Sequence, residues 1–315
     1  MNRLQIIIPE RMEGERLDVA LAEMLPELSR SKITNWIKSG NALISSKTFK
    51  PKDKVIGNEI VDLTIIKNGN NNWHAEDIPI NVIYEDEDII VINKQAGVVT
   101  HPGPGNWGGT LANALLNYDS NLKSLDRAGI VHRLDKNTSG LMVVARNQKA
   151  QKYLVGQLQN HSVTREYSAI VYGHMISGGT VNQALGRDTK DRLKQAVIRN
   201  GREAITHYRV IDRFKSHTHV KAILETGRTH QIRVHLSHIG HALIGDSVYG
   251  GKLRYPKKAS EDLKSALFNF RRQALHSRKL SLYHPETGEL MSWRTSLPED
   301  MLNLLTVIDR FDKIL

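Results

Sequence analysis

The chain has 315 residues, 40% of them hydrophobic, which is enough for two domains with a sizeable core. It contains no cysteine, so disulfides, thiolate metal sites and cysteine nucleophiles are excluded. The sequence has no run near the roughly 18 apolar residues of a membrane span and no signal-peptide core at its start, so we expect a cytoplasmic protein. The formal net charge of +11 favours a polyanionic partner such as nucleic acid over a merely soluble basic surface.

Two short helices followed by strands are predicted at the start of the chain. RLDVALAEML and SRSKITNWIKSG have apolar residues at helical spacing, and NALISS and EIVDLTII are typical of strands. The polar KNGNNNW, residues 67–73, has a linker composition, so we predict one domain over 1–75, a linker at about 67–77 and a second domain over 78–315. The apolar stripe of the first helix is Leu17, Ala20, Leu21 and Met24, and that of the second helix is Ile33, Trp36 and Ile37. We expect Ser29 or Ser31 to cap the N-terminus of the second helix and Gly40 to end it.

The segment RLDVALAEMLPELSRSKITNWIKSGNALIS resembles the small RNA-binding domain named after ribosomal protein S-four. That family holds structured RNA with its second helix and the turn that follows. The resemblance implies RNA contacts from Arg30, Lys32, Lys38 and Lys47. The alternative is a basic helix face that is only solvated.

From residue 78 the pattern changes to strands rich in isoleucine and valine. The predicted strands lie in INVIYEDEDIIVINKQAG, LMVVA, REYSAIVYG, THYRVIDRF and HVKAILET, and the predicted helices in GTLANALLNY, QKAQKYLVGQLQ and RTHQIRVHLSHIG. Strands that outnumber separated helices indicate an α+β fold, with helices flanking a mixed, mostly antiparallel sheet.

Asp135 is the first candidate for chemistry. It lies in IVHRLDKNTSGLMVVA, between apolar sequence on both sides. An aspartate in a turn such as DKNTSG commonly bonds its own backbone, and the local sequence favours that interpretation. A partly buried carboxylate, however, needs a cationic partner or becomes neutral, and such a group is often catalytic.

Arg233 is a candidate partner for that carboxylate. In LETGRTHQIRVHLSHIGHALIGDSVYGG, Thr229 can cap a helix that ends at Gly240, and Arg233 shares a face with His230. A guanidinium there can keep Asp135 ionised, although a surface arginine is the simpler interpretation.

Four further features bear on the chemistry. Tyr167 in REYSAIVYG is either a core residue or a ring on which an unstacked base packs. HPGPGNWGG fits neither a phosphate loop nor a dinucleotide fingerprint, and we interpret it as a shaped loop in reach of RNA. Ser139 lacks the GxSxG elbow of a hydrolase. The histidines at 230, 235, 238 and 241 lack metal-ligand spacing, so we predict no metal site.

Taken together, HRLDKNTSGLMVVA, REYSAIVYG, LETGRTHQIRVH and HALIGDSVYGG resemble the motifs of the ribosomal large-subunit type of RNA pseudouridine synthases. YEDEDIIVINKQAGVVTHPG is similar to that family's opening strands, with Gln95 where the family usually has proline. The similarity extends over nearly the whole chain and favours the branch that modifies the helix 69 stem-loop of large-subunit ribosomal RNA.

The resemblance implies a function and roles for single residues. Asp135 would be the nucleophile, Arg233 its salt-bridge partner and Tyr167 the ring that packs on the target base, with Arg133 and His230 in support. The family breaks the bond between C1′ and uracil N1, turns the base and rejoins it through C5, without cofactor or metal. We expect a monomer with ribosomal RNA as its partner. A non-catalytic RNA-binding or assembly protein and an enzyme that releases free uracil are the alternatives.

Overall fold

The computed structural model describes residues 2–26, 28, 30–45, 47–65, 73–103, 105–191 and 194–313. The chain divides into two compact units, Met1–Gly69 and Asn70–Leu315. Most of the predicted linker, residues 67–72, and the predicted cap Ser29 lie outside the described residues. Within the described residues no helix is long and apolar enough to cross a membrane.

The elements of the first unit are β1 (Asn2–Ile7), α1 (Leu17–Met24), α2 (Arg30–Lys38), β2 (Ala42–Ile44), β3 (Lys47–Thr48) and β4 (Ile60–Ile65). Its two helices pack on a small antiparallel sheet, whose strand order is β1-β4-β2-β3. The apolar stripes predicted for both helices face its core, where Leu21, Ile33 and Ile37 are almost fully buried. The strand β1 was not predicted from the sequence.

The second unit is built on one large sheet. Its elements are β5 (Val82–Glu85), β6 (Ile89–Lys94), α3 (Leu111–Tyr118), β7 (Ser139–Ala145), α4 (Gln148–Gln159), β8 (Thr164–Tyr172), β9 (Gly179–Asn182), β10 (Leu185–Arg187), β11 (Gln195–Val197), β12 (Ile205–Arg213), β13 (His217–Leu224), α5 (Gln231–His238), α6 (Glu261–Asn269), β14 (Leu275–Tyr283), β15 (Leu290–Arg294) and α7 (Glu299–Phe311).

The sheet runs in the order β5-β6-β7-β14-β8-β13-β12-β9, with β15 paired to β14. Within the described residues the pairing of β7 with β14 is parallel and the other pairings of this sheet are antiparallel. The prediction of an α+β fold with a mixed, mostly antiparallel sheet is therefore confirmed. The sequence-based list of elements was incomplete. It lacked the strands β9, β10, β11, β14 and β15 and the helices α6 and α7.

Alternation along β8 separates the two faces of the sheet. Tyr167, Ala169 and Val171 point to the side covered by α3 and α5, while Ile170 and Tyr172 face the side covered by α6 and α7. The first of these faces carries the site described below.

Candidate active site

Asp135 lies in a turn that joins a short buried segment to β7. Leu134 before it is buried, and Thr138 donates its backbone N–H to the Asp135 carbonyl. Gly140, just inside β7, has a φ of 114°, and a Cβ there would meet the Ser277 backbone at 2.3 Å, so only glycine lets the turn lie against β14. The rigid strand pair thus fixes where the Asp135 carboxylate points.

The carboxylate of Asp135 is held by Arg233. Arg233 Nη1 donates to Asp135 Oδ2 at 2.9 Å, and the Arg233 side chain is 7% exposed. Neither interpretation favoured by the local sequence applies to this pair. In the described part of the chain the Asp135 side chain accepts no bond from its own turn, and Arg233 is not a surface residue.

The helix that carries Arg233 begins differently from the prediction. Its N-cap is His230 rather than Thr229, with a left-handed backbone at φ 57° and no side-chain capping bond. The prediction of a Thr229 cap was therefore wrong. The left-handed residue turns the chain sharply before α5, which brings His230 Nε2 to 3.8 Å from Asp135 Oδ1.

Asp246 completes the ion pair and was not singled out from the sequence. It is buried and accepts from Arg233 Nε at 2.7 Å and Nη2 at 3.0 Å, a two-point contact that fixes the plane of the guanidinium. Burial alone raises the pKa of the Asp246 carboxyl, but the Arg233 bonds and charge hold it below its usual value. Burial would lower the pKa of Arg233, and the two carboxylates raise it instead.

His230 is oriented by Tyr249. The Tyr249 hydroxyl oxygen accepts the Gln195 backbone N–H at 2.9 Å and lies 2.8 Å from His230 Nδ1. Because that oxygen already accepts one bond, its own hydrogen is best donated to Nδ1, which leaves the imidazole hydrogen on Nε2, facing Asp135. Burial lowers the pKa of His230, and the nearby charges of Arg233 and Arg133 lower it further against the opposing effect of Asp135 and Asp246.

Lys94 also holds the turn that carries Asp135. Its role was not predicted from the sequence. Its ammonium is almost fully buried and donates to the carbonyl oxygens of Gln95, Val98 and Lys136 at 2.8, 2.9 and 3.1 Å. Burial lowers the pKa of Lys94 to about 7, and the Asp135 charge opposes that shift. Three donors on three carbonyls tie the residue after Asp135 to the end of β6.

Asp135, His230 and Arg233 line a cavity of about 480 Å³ on the α5 side of the sheet. Tyr167 is 5% exposed and presents its ring to the cavity from β8, and burial raises the pKa of its phenol. Such a space holds one nucleoside-sized ligand. Five arginines line it: Arg127, Arg133 and Arg228 are exposed, whereas Arg165 and Arg233 are buried.

Comparison with known proteins matches this arrangement to one family. A family model described as RNA pseudouridylate synthase matches residues 88–238. The ribosomal large subunit pseudouridine synthase D of Escherichia coli K12 is 49% identical over 307 residues, which covers 97% of this chain and 94% of that protein. The protein of the same name from Xanthomonas campestris is 48% identical over 304 residues, covering 96% and 92%.

The chain belongs to the RNA pseudouridylate synthase family. It is an RNA pseudouridine synthase, an isomerase, as predicted. A solved structure of human RNA pseudouridylate synthase domain containing 4 is 26% identical, with a TM-score of 0.57 over 72% of this chain and 92% of that one. The pseudouridine synthase fold is thus found for a relative of low identity as well.

The RNA-contact residues predicted for the first unit lie on this synthase's small domain. Lys38 and Lys47 are exposed, whereas Arg30 donates to Asp18 at 2.9 Å and is about half exposed. Arg30 is therefore occupied in part by an internal ion pair. Most of the Asp18 carboxylate is buried beneath it. The Lys32 side chain lies outside the described residues.

The synthase also contains histidines and carboxylates away from the cavity. Asp86, Asp88 and His284 bring possible ligand atoms within 4.8 Å of one another. His284 Nδ1, however, accepts the N–H groups of Glu286 and Thr287, so Nε2 carries the hydrogen it donates to Asp86. The group is held together by protein hydrogen bonds. Of the four histidines at 230–241, His235 hydrogen-bonds the carbonyl oxygen of Gln183, and His241 that of Tyr172.

Proposed function

We propose that this synthase converts uridine to pseudouridine in large-subunit ribosomal RNA, with Asp135 as its nucleophile. The names of its relatives support the ribosomal substrate. The observation that carries the role of Asp135 is its carboxylate, 15% exposed in the cavity and 2.9 Å from the buried Arg233. A guanidinium at that distance favours the ionised form that a nucleophile requires.

The two oxygens of Asp135 have different surroundings. Oδ2 is bound by Arg233, whereas Oδ1 makes no hydrogen bond within the described residues and has His230 Nε2 at 3.8 Å. We therefore assign the attack to Oδ1. Asp135 acts first in each route open to this reaction: addition to uracil C6, substitution at ribose C1′, or elimination at the ribose.

Tyr167 and the exposed arginines hold the substrate in this proposal. The Tyr167 ring packs on the uracil, and Arg133 contacts the opened RNA strand at the cavity mouth. Leaving the stack costs a uridine a few kcal/mol, which aromatic packing and phosphate contacts offset. A partly closed, water-poor cavity then keeps the detached base in place while it turns.

The finer assignments follow from the same proposal. Residues 1–75 act as an S-four RNA-binding domain through Arg30, Lys32, Lys38 and Lys47, and the target is the helix 69 stem-loop. An enzyme of ribosomal RNA acts in the cytoplasm, and a single chain supplies every residue named here, consistent with a monomer. The reaction draws on these side chains alone, without a cofactor.

One assay separates this function from its alternatives. The protein is incubated with large-subunit ribosomal RNA transcript, pseudouridine is mapped by carbodiimide-blocked reverse transcription, and free uracil is measured in the supernatant. We expect new stops at defined uridines and no free uracil. Binding without stops would indicate an RNA-binding or assembly protein, and released uracil would indicate glycosidic cleavage.

A further inference from the structure

Two arginines are buried in the wall of the cavity, and they differ in their partners. Arg233 binds two carboxylates, Asp135 and Asp246. Arg165, 5% exposed, makes one side-chain hydrogen bond in the described part of the chain, from Nη2 to the Glu225 carbonyl at 3.2 Å, and no ion pair there. Its Nε is buried and has no hydrogen-bond partner among the residues that the structure describes.

A buried guanidinium without a carboxylate is an unusual feature of a folded protein. Buried charges are generally paired, because taking an unpaired charge out of water costs several kcal/mol. Burial lowers the pKa of Arg165, and the nearby Tyr167 only partly opposes that shift. Because a guanidinium stays protonated in proteins even when its pKa is lowered, the free protein keeps a positive charge in the cavity wall that an anionic ligand can neutralise.

The position of Arg165 is fixed by its neighbours. A Cβ at Gly227 would lie 2.5 Å from Arg165 Nη1, so glycine is required for the backbone to approach the guanidinium. Arg165 precedes Tyr167 by two residues on β8, and the two side chains therefore point to the same face. The charge lies beside the ring on which, in the proposed function, uracil packs.

An RNA phosphate fits this position less well than the base does. The exposed cations at the cavity mouth, Arg127, Arg133 and Arg228, are placed for phosphates that stay near solvent. Arg165 lies deeper, on the strand that carries the stacking ring. The group that enters to this depth is the flipped uracil.

We propose that Arg165 stabilises the detached uracil as an anion, so that it is a catalytic residue for the step in which the glycosidic bond breaks. This inference rests on the proposed function. When the C1′–N1 bond breaks, its electron pair goes to N1, and the charge is shared with O2 and O4. The Arg165 donors meet this charge as it develops. In the substitution route C1′ is bonded to Asp135 Oδ1 once N1 has left. The electron pair of the uracil anion then forms the C5–C1′ bond while the C1′–Oδ1 bond breaks and its pair returns to the carboxylate. The C5 proton is lost and N1 takes up a proton, so the base ends neutral.

The test compares Arg165→Met, Arg165→Lys and wild type on two RNAs, one with uridine and one with 5-fluorouridine. Fluorine withdraws electrons and makes the uracil anion more stable, so that RNA depends less on the arginine. The readouts are the RNA Kd, and single-turnover consumption of the target nucleoside, measured with saturating enzyme by chromatography of digested RNA. Arg228→Met, at the exposed mouth of the same cavity, is the matched control.

We expect Arg165→Met to bind RNA within about threefold of wild type and to react about 100-fold more slowly, the usual scale for removing one donor to a developing oxyanion. With 5-fluorouridine the loss should shrink to about tenfold or less, and Arg165→Lys should be intermediate. Arg228→Met should raise the RNA Kd, and it should do so by the same factor for the RNA with uridine and the RNA with 5-fluorouridine.

Equal losses of rate on the two RNAs would overturn the inference. So would a loss confined to Kd with a reduced salt dependence, which indicates a phosphate contact. If Arg165→Met does not fold by circular dichroism, Arg165→Lys decides by the same comparison of the two bases. If wild type makes no pseudouridine, the proposed function itself fails; a fully active Arg165→Met refutes this inference alone.

Discussion

Arg233 Nη1 lies 2.9 Å from Asp135 Oδ2, although the two residues are 98 positions apart in the sequence. The contact joins the turn before β7 to α5, and Asp246 fixes the guanidinium from its other edge. The charge of one arginine is thus divided between a structural carboxylate and one that faces the cavity. Arg233 thus binds one oxygen of Asp135, and the second makes no hydrogen bond within the part of the chain that the structure describes.

Replacing Asp246 by asparagine should lower both stability and activity. The change leaves Arg233 buried with one carboxylate, and breaking a buried pair in this way costs about 3 kcal/mol in the free energy of unfolding. Urea unfolding measures it. Glu261→Gln, which removes an exposed pair with Lys264, is the control and should cost less than about 1 kcal/mol. If Asp246→Asn and Glu261→Gln lowered the free energy of unfolding equally, the buried pair of Asp246 and Arg233 would contribute no more to stability than an exposed pair.

The same variant has a defined pH signature. The folded-state pKa of Asp246 is below its unfolded value, so its contribution to stability is full above the unfolded pKa of about 4 and is lost as the pH falls through the folded pKa. The difference in unfolding free energy between wild type and Asp246→Asn should therefore be constant near neutral pH and shrink in acid. A difference that grows in acid would contradict this assignment.

Tyr249→Phe should make the reaction sensitive to mild acid. Without the hydroxyl, His230 Nδ1 can take up a proton, and the imidazolium would pair with Asp135 Oδ1 and reduce its reactivity. Burial and the charges of Arg233 and Arg133 lower the pKa of His230 in wild type, and loss of the hydroxyl bond should raise it. We therefore expect the ratio of the variant's single-turnover rate constant to that of wild type to fall as the pH is lowered from 8 to 6.

His230→Gln in the Tyr249→Phe background provides the control, because glutamine cannot titrate in this range. The double variant should lose the acid dependence even if it is slower at every pH. A Tyr249→Phe profile parallel to that of wild type would show that the hydroxyl does not set the state of His230.

Lys94 predicts a decline on the alkaline side. Above its pKa of about 7 the ammonium loses a hydrogen and can no longer donate to all three carbonyls, so the turn after Asp135 is held less firmly. The rate constant should fall between pH 6.5 and 8.5. Lys94→Arg stays charged over that range and should give a flat profile. A flat wild-type profile would rule this role out.

Removing residues 1–75 tests the predicted division of the chain. The second unit has its own apolar cores and contains every cavity residue, so the fragment should keep its secondary structure and bind RNA about tenfold or more weakly through the loss of basic contacts. Circular dichroism and filter binding measure the two effects. Loss of all secondary structure would contradict the predicted boundary.

The sequence allowed good prediction of several elements that have a strong local pattern. The limits of α4 were predicted as Gln148–Gln159, and the apolar stripes of α1 and α2 are buried. α6 and α7 also carry local start signals, Ser260 and the acidic pair Glu299 and Asp300, so their omission was avoidable.

The missing parts of the site were of a different kind. Asp246 follows Gly245 and has the local character of a turn residue, and only the fold brings it to Arg233. Arg165 has no local signal of burial. The residues that surround it are distant in sequence: the Glu225 carbonyl accepts its hydrogen bond, and Gly227 leaves room for the guanidinium. Pairwise contacts between remote residues decide both cases, and periodicity does not encode such contacts.

The most direct test of the central claim is pseudouridine formation by Asp135→Asn on large-subunit ribosomal RNA. Asparagine keeps the size of the side chain but has neither the charge that pairs with Arg233 nor a nucleophilic carboxylate. We expect RNA binding within about threefold of wild type and a loss of product of at least about 10⁴-fold, as for removal of an essential nucleophile. Product formation near the wild-type rate would contradict the assignment of Asp135.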